Sequence, residues 1–201
     1  MKNWKPTLQR FLFELIVIFI GVYLAFVFSD LQQKQQATRK KTQILTGLRQ
    51  ELQLFIDGAT AHLAETDALI KDFENRLQYG QMPAPFRYSY TGADRPPNSF
   101  WQAAIASGAV DLLDIQLLTD MALYYNFLES ALRKYNALYE FGQDHILPYA
   151  QDNTVVYYID STHLKPIYAE YIMDFKTYQS IGTQLKTKAT NLVQTLDTLI
   201  E

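Results

Sequence analysis

Cysteine is absent from this 201-residue sequence. The absence excludes disulfide frameworks, thiol nucleophiles, and zinc or iron–sulfur sites built on thiolates. Glycine and proline are scarce, at 8 and 7 residues, which excludes collagen-like and Gly/Pro-rich low-complexity chains. Charged residues make up only 19%, and the net charge of −3 argues against a nucleic-acid-binding protein that relies on a basic face. The aromatic content of 14% is too high for a disordered tail, so the composition is that of a folded domain.

The charges are divided unevenly along the chain. Residues 2–49 carry eight Lys or Arg and two acids, whereas residues 51–201 carry ten Lys or Arg and nineteen Asp or Glu. The first part is therefore basic, and the second part is acidic. This division predicts a basic stalk followed by an acidic body.

One long apolar run, FLFELIVIFIGVYLAFVF at residues 11–28, contains a single charged residue. As a helix it is roughly 27 Å long, close to the ~30 Å hydrocarbon core of a bilayer. It is apolar on every face, unlike the surface helix of a soluble domain. One alternative is a buried helix of a soluble domain. The other is a cleaved signal peptide, because Val27-Phe28-Ser29 is a tolerable cleavage exit. The run is longer than a usual signal core and helix-forming sequence follows without a break, so we predict a retained single-pass transmembrane helix.

Glu14 is the charge inside this run, and a carboxylate within a membrane helix is costly unless it is paired or functional. Arg10 precedes it by four residues, the spacing at which two helical side chains meet. We predict an Arg10–Glu14 ion pair at the membrane interface. A partner-binding role of Glu14 within the bilayer is the alternative.

Three parts follow one another along the chain. They are an N-terminal tail and transmembrane anchor at 1–30, a basic helical stalk at 31–44, and a helical bundle domain at 45–201. The bundle domain contains a Pro-rich loop at 80–98, which holds four of the seven prolines. The first helix is predicted to run from about Pro6 to Gln78, through the anchor and the stalk into the bundle.

Apolar residues in the bundle domain recur at alternating spacings of three and four, as in helices that pack along their length. The stripe of the first helix is Leu45, Leu48, Leu52, Phe55, Ala59, His62, Thr66, Leu69 and Phe73. The next long helix, capped by Asp114 and stopped by Pro148, carries Ile115, Leu118, Tyr125, Leu128, Leu132 and Tyr139. The last helix, with Pro166 in its first turn, carries Leu164, Tyr168, Tyr171, Phe175, Tyr178, Gly182, Leu185, Ala189, Leu192, Leu196 and Leu199.

A short helix is predicted at 99–107, where Ser99 and Gln102 form a capping-box pattern. The β-prone residues 154–159 lack a partner strand, so we predict an extended connection there. The sequence therefore predicts an all-α fold. An N-terminal transmembrane helix continues into an antiparallel bundle of three long helices plus one short helix.

Two sequence blocks carry a family resemblance. The first is FELIVIFIGVYLA with the basic, Gln-rich helix and LRQELQLF after it, and the second is NSFWQAAIASGAVDLLDIQLLTDMALYY. They resemble a group of single-pass bacterial membrane proteins, of the type found in Bacteroidota, with a Glu-led N-terminal anchor and a helical body. The resemblance covers roughly residues 11–55 and 98–130, and the chain departs from the usual pattern at Phe28-Ser29-Asp30. No activity is assigned to the family, so the resemblance implies architecture and location and adds no catalytic residue.

The expected location is the bacterial inner membrane. Basic residues flank both ends of the apolar run in nearly equal number, so the positive-inside rule alone decides little. A short tail ahead of an uncleaved anchor usually stays inside. We therefore expect a cytoplasmic N-terminus and a periplasmic C-terminal body.

No motif for catalysis or cofactor binding is present. The sequence has no Gly-rich phosphate loop, no G-x-S-x-G and no H-E-x-x-H. His62 with Glu65, and Asp144 with His145, pair residues of metal-ligand type, but a di-metal bundle needs Glu-x-x-His on two helices. That motif is absent, so we expect no enzyme activity, no cofactor and no metal site.

His62 and Thr66 are polar members of the first stripe, and Gly182 is a small member of the last stripe, about halfway along its helix. Because the helices have similar lengths, residues halfway along them are expected to lie at the same level along the bundle axis. We predict a polar layer in which Gly182 leaves room for the imidazole of His62. In the alternative, His62 faces outward beside Glu65 and Leu63 takes the core position.

The tyrosines of the last two long helices suit a Tyr-rich core, whereas Tyr88 and Tyr90 in the Pro-rich loop are candidate contact residues. We expect a structural, accessory or partner-docking protein without catalysis. Its expected partners are the lipid bilayer and a second copy or another membrane protein, with no nucleic acid. An extracytoplasmic bundle that senses a small ligand and signals through a partner is the alternative.

Overall fold

The computed structural model describes residues 5–86, 98–149 and 154–200, without the side chains of residues 5–10 and 12. Within these residues the long helices are α1 (Lys5–Gln78), α3 (Ile115–His145) and α4 (Pro166–Ile200), and the short helix is α2 (Ser99–Ala106). Short 3-10 helices lie at Ala109–Leu112, Leu147–Tyr149 and Thr154–Tyr157. The predicted all-α fold of three long helices and one short helix is confirmed.

The chain divides into two units, Met1–Ile44 and Leu45–Glu201, and α1 contributes to both. In the first unit, every described side chain of α1 from residue 11 to residue 40 is exposed. By length and composition, one helix of the described chain is suited to crossing a membrane, and its most apolar window is not buried at all. An apolar helix near the N-terminus also fits a signal sequence.

In the second unit, α4 runs antiparallel to both α1 and α3, while α1 and α3 run in the same direction. The long connection between α1 and α3, which includes α2, returns the chain to the start of the bundle. The contacts that establish these directions are Arg49–Asp197 and Glu74–Lys176 between α1 and α4, Glu51–Tyr125 and His62–Tyr135 between α1 and α3, and Lys134–Asp174 between α3 and α4.

The buried stripes of α1 and α4 follow the predicted spacing. On α1, Leu45, Leu48 and Leu52 are almost completely inaccessible, and on α4 the same holds for Leu185 and Leu196. Burying such side chains contributes about 1.5–3 kcal/mol each, so these seams supply much of the stability of the bundle.

The predicted stripe of α3 is right at Tyr125 and Leu128, which are buried, and wrong at its start. Ile115, its predicted first member, is 74% exposed, whereas the neighbouring Leu117 is buried. Leu, Ala and Tyr occur on several faces of α3. The sequence alone therefore does not show which of these faces packs against α1 and α4. The buried residues of α3 are Leu117, Met121, Tyr124, Tyr125, Leu128, Ala131, Leu138 and Gly142.

The extended connection predicted at 154–159 was also wrong. Residues Thr154–Tyr157 form a 3-10 turn, and only Tyr158 makes a β-bridge, to Leu164. The turn buries Tyr157, whose hydroxyl donates to the carbonyl of Ile146 at 3.2 Å. Packing of this aromatic ring against the ends of the helices overrides the β-propensity of the segment.

Candidate functional site

Glu51 on α1 is a buried carboxylate, with only 4% of the residue exposed. A buried carboxylate is costly unless hydrogen-bond donors surround it. Three donors do so: the backbone N–H of Phe100 at 2.6 Å, the backbone N–H of Trp101 at 3.3 Å, and the hydroxyl of Tyr125. Glu51 therefore joins α1 to α2 and α3 through one side chain.

The same carboxylate caps the N-terminus of α2. The first N–H groups of a helix have no partner within the helix, and they carry partial positive charge that attracts an acidic group. The capping box predicted from Ser99 and Gln102 is wrong, because the N-cap residue is Asn98 and it makes no side-chain cap hydrogen bond. Glu51 supplies the acceptor from a different helix.

Aromatic rings enclose this carboxylate. Trp101 stacks on Tyr125 with ring centroids 5.0 Å apart and planes only 6° from parallel, and Tyr124 meets Tyr125 edge to face at 5.1 Å. Such ring pairs add stability beyond the area that they bury. We refer to Glu51, Phe100, Trp101, Tyr124 and Tyr125 as the Glu51 cluster.

Both tyrosines of the cluster remain protonated at all ordinary pH values. Burial raises the pKa of Tyr125 far above its usual value, and the hydrogen bond to Glu51 raises it further. Burial likewise raises the pKa of Tyr124, with a smaller contribution from the nearby charge of Glu51. The hydroxyl of Tyr125 is thus a permanent donor to Glu51, whereas the buried hydroxyl of Tyr124 has no hydrogen-bond partner among the described residues.

The two adjacent tyrosines allow a matched test. We expect Tyr125→Phe to lower the free energy of unfolding by about 1.5–3 kcal/mol, because the buried carboxylate of Glu51 loses one of its hydrogen-bond donors. Tyr124→Phe should be neutral or raise it by up to ~1 kcal/mol, because it removes a buried hydroxyl without a partner. Thermal unfolding of both full-length variants in detergent gives the comparison. A larger loss of stability in Tyr124→Phe than in Tyr125→Phe would contradict the assigned hydrogen bond between Tyr125 and Glu51.

Gly47, one turn before Glu51, lets α2 approach α1 closely. A Cβ atom at Gly47 would lie 2.2 Å from the Cζ atom of Phe100, so only glycine fits beneath this ring. At Gly58, also on α1, the corresponding Cβ position has no atom of the described residues within 4 Å, apart from the adjacent residues and the local helix backbone.

These two glycines form a second matched pair. Gly47→Ala should destabilise the protein by about 1–3 kcal/mol, because the ring of Phe100 must leave its position. Gly58→Ala should stabilise it by ~0.5–1 kcal/mol through the better helix propensity of alanine. Chemical unfolding of the two variants measures both effects, and equal responses would show that the Phe100 contact is unimportant.

The structure places the predicted polar layer differently from the sequence prediction. His62 is half-buried and faces the rings of Tyr135 and Tyr178, at centroid distances of 6.3 and 6.0 Å. A Cβ atom at Gly182 would lie 2.9 Å from a methyl group of Leu63, so Leu63 and not the imidazole lies against this glycine. Thr66 is buried and donates its hydroxyl to the carbonyl of His62 at 2.8 Å. Adjacent positions of α1 face different partners because α3 and α4 pack on two sides of it.

The remaining predicted site residues lie partly outside the described chain. Glu14 is exposed on α1, but the side chain of Arg10 is not described, so the ion pair stays a prediction. Tyr88 and Tyr90 lie outside the described residues, and their role in a contact loop stays a prediction as well.

The chemistry open to the Glu51 cluster is structural. Glu51, Trp101, Tyr124 and Tyr125 are all buried, so the cluster orients helices and presents no reactive group to a substrate. In the described part of the chain, no three His, Asp or Glu side chains form a group that could hold a metal ion. No protein-family model, no curated protein and no solved structure matches the chain.

Sequence reasoning missed Glu51. The signal was present, because Glu51 precedes Leu52 and lies between Leu48 and Phe55 in the α1 stripe, at the edge of the face that is buried. An acidic residue at the edge of an apolar stripe, with a helix N-terminus elsewhere in need of an acceptor, was the available clue.

Proposed function

We propose that the chain is a single-pass membrane protein whose helical body has a structural, accessory or partner-docking role without catalysis. The observation that carries the proposal is the exposed apolar surface around α1 in the first unit. Phe13, Phe19 and Phe26 are among the large side chains exposed there. An apolar helix of this length, exposed on every face, is stable in lipid and unstable in water.

The uninterrupted course of α1 supports a retained anchor over a cleaved signal peptide. The helix continues through Val27-Phe28-Ser29, the site of the cleavage exit considered in the sequence, and on through Asp30. Just beyond the apolar run, Lys34 forms an ion pair with Asp30, one turn before it on the same helix, at 2.8 Å. Such a pair belongs to a continuous solvated stalk.

The proposed location is the inner membrane of a bacterium, with the N-terminus in the cytoplasm and the body in the periplasm. The resemblance to single-pass bacterial membrane proteins supports the membrane location, and the orientation is part of the proposal. Reporter enzymes fused to the C-terminus test it: a periplasm-dependent phosphatase should be active there. Activity of a cytoplasm-dependent reporter alone would reverse the orientation and leave the anchor itself untouched.

The body is proposed to dock a second copy or another membrane protein. The acidic charge of residues 51–201 and the structural use of the buried Glu51 are consistent with a docking body. A small-ligand sensor is the second candidate, and it is favoured by the buried hydroxyl of Tyr124, for which the described residues offer no hydrogen-bond partner.

Native mass spectrometry of the detergent-extracted protein separates these two roles. A docking role predicts a stoichiometric protein partner or a dimer mass. A retained small molecule that is lost in Tyr124→Phe would support the sensor role instead.

A further inference from the structure

His62 lies where all three long helices meet. Its ring meets Tyr135 of α3 and Tyr178 of α4 edge to face, and the two tyrosine rings lie 5.5 Å from each other. The hydroxyl of Tyr178 is 3.5 Å from Nε2 of His62, a weak hydrogen bond at most. The neutral imidazole is therefore accommodated mainly by aromatic packing.

Among the groups around His62, one charged side chain stabilises the protonated ring. From α1 itself, Glu65 acts on the ring through its charge. From α3 and α4 the facing titratable groups are Tyr135 and Tyr178, and burial raises the pKa of Tyr178 to about 12, so it stays neutral.

Charged side chains near these tyrosines on α3 and α4 form ion pairs of their own. Lys134, next to Tyr135 in the sequence, binds Asp174 at 2.7 Å, and Lys176, two residues before Tyr178, binds Glu74 of α1. Asp67, one turn beyond His62 on α1, binds Lys71 and accepts from Gln179 of α4.

We propose that His62 is an acid-sensitive joint of the bundle, whose protonation loosens the packing of α4 against α1 and α3. An imidazolium favours hydration, and the buried part of the His62 ring lies against Tyr135 and Tyr178, so protonation favours movement of these rings away from it. The proposed effect depends only on contacts within the bundle and not on the side of the membrane on which the bundle lies.

The direction of the effect follows from linkage. Burial lowers the pKa of His62 below its usual 6.5, and the charge of Glu65 offsets this only in part. The unfolded chain therefore binds a proton more readily than the folded chain does. The stability due to neutral His62 is complete above pH 6.5 and is lost as the pH falls through the folded-state pKa.

Thermal unfolding of the full-length protein in detergent, at pH 7.5 and pH 5.0, tests the joint. We expect the wild type to lose about 2–4 °C more in Tm between these pH values than His62→Gln does. His163→Gln is the matched control, because His163 is exposed and bound to Asp160, and it should not flatten the acid response. Hydrogen exchange, corrected for the intrinsic rate at each pH, gives a second readout. Acid should increase the exchange of the backbone amides of α4 around Tyr178 in the wild type and not in His62→Gln.

Equal losses of Tm in the wild type and His62→Gln would overturn the proposal. A second measurement keeps it testable when His62→Gln folds poorly. The three histidine ring signals of the wild type can be titrated by NMR and assigned with His145→Gln and His163→Gln. A pKa of His62 at or above 6.5 would also overturn the joint, and a lower value supports it.

Discussion

Glu51→Ala should lower the free energy of unfolding of the full-length protein by about 3–5 kcal/mol. The substitution leaves the N–H groups of Phe100 and Trp101 and the hydroxyl of Tyr125 without their acceptor, and each buried unpaired donor costs ~1–3 kcal/mol. Glu51→Gln should cost less, because the amide oxygen still accepts from part of this set. Thermal and chemical unfolding in detergent measure both changes.

Fluorescence gives a second readout of the same prediction. The chain has two tryptophans, so Trp4→Phe leaves Trp101 as the only one. In this background, Glu51→Ala should shift the emission of Trp101 to the red, because α2 loses the group that holds its N-terminus. Glu140→Ala, which changes an exposed glutamate of α3, should leave stability within ~0.5 kcal/mol and emission unchanged. An unaltered Tm in Glu51→Ala would contradict the assigned role of the cluster.

The second large effect is expected in the membrane segment. The double variant Phe19→Lys, Leu24→Lys should fail to insert and should appear in the soluble fraction. Each lysine near the centre of a membrane helix costs ~2.5–3.5 kcal/mol on the insertion scale, which the remaining apolar residues do not offset. Phe19 is 71% exposed and Leu24 47% exposed, so the change removes no packing within the described chain. Cell fractionation with immunoblotting, normalised to total protein, measures the distribution.

Leu54→Lys provides the control for this experiment. Leu54 is also on α1 and is 63% exposed, but it belongs to the bundle unit. It should remain in the membrane fraction like the wild type. Membrane retention of the Phe19→Lys, Leu24→Lys variant would show that residues 11–28 do not hold the protein in the bilayer.

The sequence was sufficient to predict the long helices of this fold. The spacing of Leu45, Leu48 and Leu52 on α1 and of Leu185 and Leu196 on α4 depends only on helix geometry, and these residues are buried as expected. The cap at Asp114 is equally local, and its side chain accepts from the N–H of Gln116 at 2.8 Å.

The Glu51 cluster could not be predicted in the same way. Its acceptor and its donors are about 50 and 74 residues apart, and only the return of the chain along α1 brings them together. The local pattern at Ser99 pointed to a capping box, but the carboxylate of Glu51 binds the helix N-terminus instead. Local propensity yields here to a tertiary contact with a buried charge.

The polar layer illustrates a limit of arguments from helix length. Gly182 and His62 were predicted to meet because both lie near the middle of their helices. Gly182 contacts Leu63 instead, one residue along α1 and therefore about 100° around it. Equal height does not determine which side of a helix faces a neighbour, because that depends on how the three helices pack together.

The central claim is that α1 holds the protein in a membrane, and the most direct test is the intact mass of the wild-type protein recovered from membranes after an alkaline carbonate wash. We expect the washed membranes to retain the protein with residues 11–28 still present, at a mass near 23.2 kDa. A recovered chain that begins at Asp30, released by the wash, would contradict the account.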